Sequence, residues 1–107
     1  TRLLAIDAGS GSLARTFGTD GAIDLGVPYN SVPLVYRNLV VVGANTPQGA
    51  VGGIGNPRAY DARTGEKVWE FNAVAQPGEP GHDTWGGDSW RNRLGANAWP
   101  FYFTVDE

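Results

Sequence analysis

The side chains best able to do chemistry gather late in the chain. His82, the single histidine, stands in Gln76-Pro-Gly-Glu-Pro-Gly-His-Asp-Thr-Trp85, with Asp83 beside it. An imidazole there could act as a base near neutral pH, or be a solvated loop residue. Arg91 and Arg93 could form charge-assisted hydrogen bonds to a carboxylate, or face water as surface arginines do. Trp85, Trp90 and Trp99 surround them. Indoles in such a stretch pack a loop or a core, or offer a flat stacking surface. No Ser-His-Asp grouping, phosphate-cradling glycine loop or zinc spacing occurs. Zero cysteines exclude thiol chemistry, disulfides and Cys-based metal sites within these 107 residues.

The elements that must hold these residues are short strands. Gly 16 and Pro 7 are too frequent for a helical protein and suit strands joined by turns. A net charge of −3 gives no basic footprint for nucleic acid, and no apolar run is long enough for a membrane-spanning helix. Arg2 to Ile6 and Ser12 to Phe17 are expected to form a hairpin, and Gly18 to Asn30 a loop. Ser31 to Tyr36 and Leu39 to Ala44 read as strands split by the two-residue turn Arg37-Asn38. The continuous run Leu39-Val-Val-Val-Gly43 predicts a strand covered on both faces. Asn45 to Pro57 is a Gly- and Pro-rich loop, and Arg58 to Phe71 a second hairpin, with Lys67, Trp69 and Phe71 expected on one face. Ala73 to Gly95 is too long for a mere connection. From Asn97 the chain alternates again, with Trp99, Phe101, Phe103 and Val105 on one side.

One pattern occurs twice. Ala59-Tyr-Asp-Ala-Arg-Thr-Gly-Glu-Lys-Val-Trp69 matches Ala5-Ile-Asp-Ala-Gly-Ser-Gly-Ser-Leu-Ala-Arg15 at an offset of 54 residues, without a gap. Asp7 pairs with Asp61, Gly11 with Gly65 and Phe17 with Phe71; Arg15 stands where the second copy has Trp69. In each copy the Asp and the Ser or Thr can bond the turn's own amides, while Gly supplies the positive φ. Repeats near this length indicate propeller blades or solenoid turns.

The pattern Ala-x-Asp-x-x-Thr-Gly-x-x-x-Trp resembles the tryptophan-docking motif of the quinoprotein dehydrogenases, eight-bladed β-propellers carrying pyrroloquinoline quinone (PQQ). Thr84-Trp-Gly-Gly-Asp-Ser-Trp90 followed by Gly95-Ala-Asn-Ala-Trp99 resembles the segment before the inner strand whose Trp lies under the cofactor. Gln76 to Trp85 is similar to the glucose-dehydrogenase-like branch. The resemblance implies an all-β fold that is part of a propeller. Residues 1–17 would be the outer hairpin of one blade, 31–71 a full four-stranded blade, 72–95 a long functional loop and 96–107 the inner strand of the next. It also implies a fragment of a longer periplasmic enzyme.

By the same resemblance Trp99 stacks on PQQ, Asn97 reaches a cofactor oxygen, and Asn30 and Ser31, at the entry of the blade's inner strand, are either further contacts or simply a strand-entry turn. Trp69 packs between blades, and Trp85 and Trp90 pin the long loop. The family's cation, Ca2+, needs oxygen ligands. The loop Asn45 to Pro57 holds no Glu or Asp, and Gln48 or Ala50 stands near that position. A second metal ligand and the catalytic Asp would lie beyond Glu107. The implied function is oxidation of an alcohol or sugar, with electrons passed to an acceptor. The rival readings are a non-enzymatic propeller scaffold and a small glycan-binding β module.

Overall fold

The computed structural model describes residues 1–93 and 103–106. Its strands are β1 (Arg2–Leu4), β2 (Ala22–Asp24), β3 (Leu34–Tyr36), β4 (Leu39–Val42), β5 (Arg58–Asp61) and β6 (Lys67–Glu70), with 3-10 turns at Gly53–Gly55 and His82–Thr84. β3 to β6 form one antiparallel four-stranded sheet in sequence order, and β1 pairs with β2 in a separate two-stranded sheet. This is part of a β-propeller: a four-stranded meander of the kind that makes a blade, preceded by a piece of another sheet.

The repeated turn is built alike in both copies. Asp7 Oδ1 accepts from the Ser10 amide and hydroxyl, both at 2.8 Å. Asp61 Oδ1 accepts from the amides of Arg63 at 2.8 Å and Thr64 at 2.9 Å. The Gly11 and Gly65 amides donate to the carbonyls of Asp7 and Asp61, each at 2.8 Å. Such local bonding lets a few residues specify a turn without help from the rest of the fold.

Past the turn the copies diverge, and the first hairpin is shorter than expected. Ile6 and Leu13 form an isolated bridge, flanked by the Asp7 amide on Ser12 O at 2.8 Å and the Ala14 amide on Ala5 O at 2.9 Å. The chain then bends, Phe17 donating to Ala14 at 2.9 Å, and positive φ at Gly18, Asp20 and Gly21 folds it back. Strand β2, in the segment expected to be loop, takes the place beside β1, with Leu3 opposite Ile23. The Ala5 amide completes this pairing on Gly21 at 3.0 Å.

The two-residue turn at Arg37-Asn38 is present, with Tyr36 opposite Leu39 and φ of 54° at Arg37. Asn38 ties it to the neighbouring turn through its Nδ2 on Asp61 Oδ2 at 2.9 Å. One face of the four-stranded sheet carries Val40, Val42 and Tyr60, which pack with Leu25, Val27 and Ala44 into the buried core. Leu39 and Val41 line the other face in an apolar groove with Leu34, Tyr36, Trp69 and Phe71, beside which Phe103 and Val105 lie. Strand β4 is therefore lined by apolar groups on both sides.

A β-bulge corrects the expected face of Lys67. Ala59 opposes Trp69 but Tyr60 opposes Lys67, so one residue of β6 is extra. The bulge shifts the period of two and puts Lys67 on the side of Tyr60 and Glu70. There its Nζ meets Glu70 Oε2 at 2.8 Å. Trp69 and Phe71 stay on the groove side. Of the expected last strand, residues 103–106 lie outside any ladder.

The contact between the two sheets uses the repeat. The Gly18 amide donates to Thr64 O at 2.8 Å. A Cβ on Gly65 would stand 2.7 Å from Ile23 Cγ2 and 3.3 Å from the Phe17 ring. The second turn thus plugs into the segment after the first. Phe17 is 3% exposed under that plug, whereas its counterpart Phe71 is 64% exposed.

Candidate functional site

The antiparallel order sends the two tight turns to one end of the sheet and the long loops to the other. At the loop end lie Asn30 and Ser31 before β3, Asn45 after β4, residues 53–57 before β5 and residues 72–93 after β6. Functional side chains held on loops by a rigid sheet are the common arrangement of binding sites.

Arg58 begins β5 on the core face and is 6% exposed. Its guanidinium donates to the carbonyls of Gly53 at 2.6 Å, Ile54 at 3.0 Å and Asn56 at 2.9 Å, and to Glu70 Oε1 at 3.2 Å. Asn56, 3% exposed, donates Nδ2 to Glu70 Oε1 and to Asn72 Oδ1, each at 2.9 Å. Its Oδ1 accepts the Ala73 amide at 3.1 Å. Asn72 passes the network to Glu79 Oε1 at 2.7 Å, and Glu79 Oε2 receives the Gln76 amide at 2.7 Å. Burial pushes the Glu70 carboxyl up, but bonds from Lys67 and Asn56 and the charge of Arg58 outweigh it, leaving Glu70 below its ordinary range. Bonds from Gln76 and Asn72 lower Glu79 as well.

The loop beyond is folded on itself. His82 Nδ1 meets Ala75 O at 3.0 Å, and its ring stands edge-on to Trp90, with centroids 5.3 Å apart. Arg91 lies 4.8 Å over Trp90 and pairs with Asp88 at 3.0 Å, while Arg93 lies 5.4 Å over Trp85. Both arginines are thus engaged by the loop's own indoles, which accounts for their spacing without a ligand.

Among the sequence candidates, Asn30 and Ser31 sit at this loop end. Asn30 is exposed, and its Oδ1 accepts from Asn45 Nδ2. With Oδ1 so engaged, the amide's other capacity is its two N–H donors, which suit a carboxylate or quinone oxygen. Burial raises the adjacent Tyr29 phenol, a hydrogen bond with Ser31 acting the other way. Asn97 and Trp99 lie outside the described residues. Among those described, no three His, Asp or Glu side chains come together as a metal site, and Gln48 is exposed.

The whole chain, residues 1–107, matches the model of the family "PQQ: Glucose/ethanol/alcohol dehydrogenase, beta-propeller domain". The chain belongs to this family. It is similar to a quinoprotein glucose dehydrogenase of Gluconobacter oxydans (strain 621H), 34% identical over 85 residues, covering 67% of this chain. The chain spans about a tenth of that relative's length, 10%. No solved structure matches.

For a PQQ-dehydrogenase propeller, sequence reasoning missed the network running from Arg58 to Glu79. The sequence held no direct signal for it. Counting back from the turn Asp61 to Glu66 pairs Arg58 with Trp69, and only the bulge in β6 brings Glu70 opposite Arg58. The links of Asn56 to Asn72 and Ala73 were hidden as well, since they depend on where two loops meet.

Proposed function

We propose that the protein to which this chain belongs is a PQQ-dependent dehydrogenase that oxidises an alcohol or sugar and passes the electrons to an acceptor in the periplasm. The match of residues 1–107 to the dehydrogenase propeller family carries this reading. The donor set at the loop end supports it, because the Asn30 amide and Ser31 hydroxyl suit the carboxylates and quinone oxygens of PQQ. When bound, PQQ would accept the two electrons taken from the substrate. The task of this chain is to bind and orient it. Asn30, Ser31 and Asn97 would donate to its oxygens, and Trp99 would supply a rigid indole face for its flat rings. A cation such as Ca2+ would accompany it.

The test is the full-length protein prepared without cofactor, then supplied with PQQ and Ca2+ and a reducible dye. Glucose and ethanol are offered in turn. PQQ-dependent dye reduction with one of them is the expected result, and its absence in a folded protein that binds no PQQ would favour a scaffold.

A further inference from the structure

We propose that Arg58 and Asn56 are positioning residues that lock the loop before β5 to the loop after β6, so that the cofactor end is formed before any ligand arrives. The part concerning the cofactor rests on the function proposed above.

The two side chains divide the work. Arg58 binds the loop before β5 from below, its Nη1 and Nη2 donating to three of that loop's carbonyls on one planar fork while Nη2 also donates to Glu70. Lysine has neither the number of donors nor their fixed directions. Asn56 then joins that loop to the next one. Its amide bridges Glu70 and Asn72 through Nδ2 and holds the Ala73 backbone through Oδ1. From Asn72 the path continues to Glu79, which in turn fixes the Gln76 amide. Both anchors are nearly fully buried, so breaking one bond strands a buried polar group and destabilises the arrangement as a unit. Asn45 belongs to the loop before β5 and donates to Asn30, so a shift of that loop would move the surface that Asn30 helps to form. The opposite end offers an internal control, where Asn38 on Asp61 ties two turns in a comparable way.

The experiment uses the full-length protein and the variants Asn56→Ala, Arg58→Lys and Asn38→Ala. Amide hydrogen exchange of the apoprotein and PQQ affinity are measured on each, together with the melting temperature. Asn56→Ala and Arg58→Lys should speed exchange at Ala73 and Gln76 and weaken PQQ binding by roughly tenfold, the scale found for residues that orient ligating groups. Turnover at saturating PQQ should stay near wild type. Asn38→Ala, at whatever cost in melting temperature, should leave exchange at Ala73 and PQQ affinity unchanged. Equal effects in all three variants, or unchanged exchange at Ala73 and Gln76 in Asn56→Ala, would overturn the proposal. Wild-type protein that takes up no PQQ would overturn the proposed function instead, while exchange at Ala73 would still decide whether the loops are locked.

Discussion

Asp61 shows how much one carboxylate can organise. Its Oδ1 takes two turn amides while Oδ2 takes Asn38, and those bonds, led by Thr64 and then Arg63, hold its carboxyl below the ordinary 3.8. Glu70, likewise lowered from 4.5, joins Lys67, Asn56 and Arg58. A depressed carboxylate contributes stability that is present above its unfolded pKa and lost as pH falls through the folded one. The full-length protein should therefore lose stability on acidification below about pH 4, the ordinary carboxylate range. Asp61→Asn should flatten that acid limb in denaturation curves taken at several pH values. An unchanged limb would show that the turn carboxylate bears no share of it. Trp99 makes a different demand. If its indole serves the cofactor, Trp99→Ala should weaken PQQ binding by roughly 1 to 3 kcal/mol, the scale of flat rings stacked on aromatics. The apo melt should move little. A collapsed apo melt with affinity per folded molecule intact would make Trp99 a core residue.

Among the elements, the repeated turn gives the sharpest contrast. Gly11 and Gly65 share a left-handed backbone, with φ of 70° and 76°. A Cβ at Gly11 meets nothing within 4 Å, whereas at Gly65 it would strike Ile23 and crowd Gly18 N at 3.1 Å. Gly11→Ala should cost only the left-handed penalty, about 1 to 2 kcal/mol. Gly65→Ala should cost clearly more, because backbone must shift as well. Equal losses in chemical denaturation would mean that the turn does not plug into its neighbour. The contact also explains Arg15. That residue is exposed, and Phe17 fills the buried place under the second turn, so Arg15→Ala should cost within about 0.5 kcal/mol.

These elements also show why only part of the fold and site was legible. The two Asp–Gly turns, the Arg37-Asn38 hairpin and the order of β3 to β6 follow from bonds within a few residues. The pairing of Arg2–Leu4 with Ala22–Asp24 was hidden, because positive φ at Gly18, Asp20 and Gly21 decides it and not strand propensity. Lys67 was misplaced by a bulge, which period-two counting cannot anticipate. At the site, Asn30 and Ser31 could be located as strand-entry residues. The buried role of Asn56 could not, since its bonds to Asn72 and Ala73 reach a loop with no periodicity.

For the molecule as a whole, one sheet face is covered and the other is a groove in which Trp69 is 40% exposed and Phe71 more so. A partly open apolar groove and open strand edges favour association. The isolated 107-residue chain should sediment as oligomers or aggregates, and a monodisperse monomer with a sharp melt would favour a free-standing glycan-binding module. Trp69→Ala should likewise cost more in the full-length protein, roughly 3 to 5 kcal/mol as for large buried aromatics, than in this chain, where the indole is partly open. The central claim is that this propeller piece serves a PQQ enzyme. Titration of the full-length apoprotein with PQQ, followed by tryptophan fluorescence and by dye reduction with glucose or ethanol, tests it most directly. The account predicts saturable binding of one PQQ per chain, with activity rising in step. A folded apoprotein that neither binds PQQ nor gains activity would contradict it.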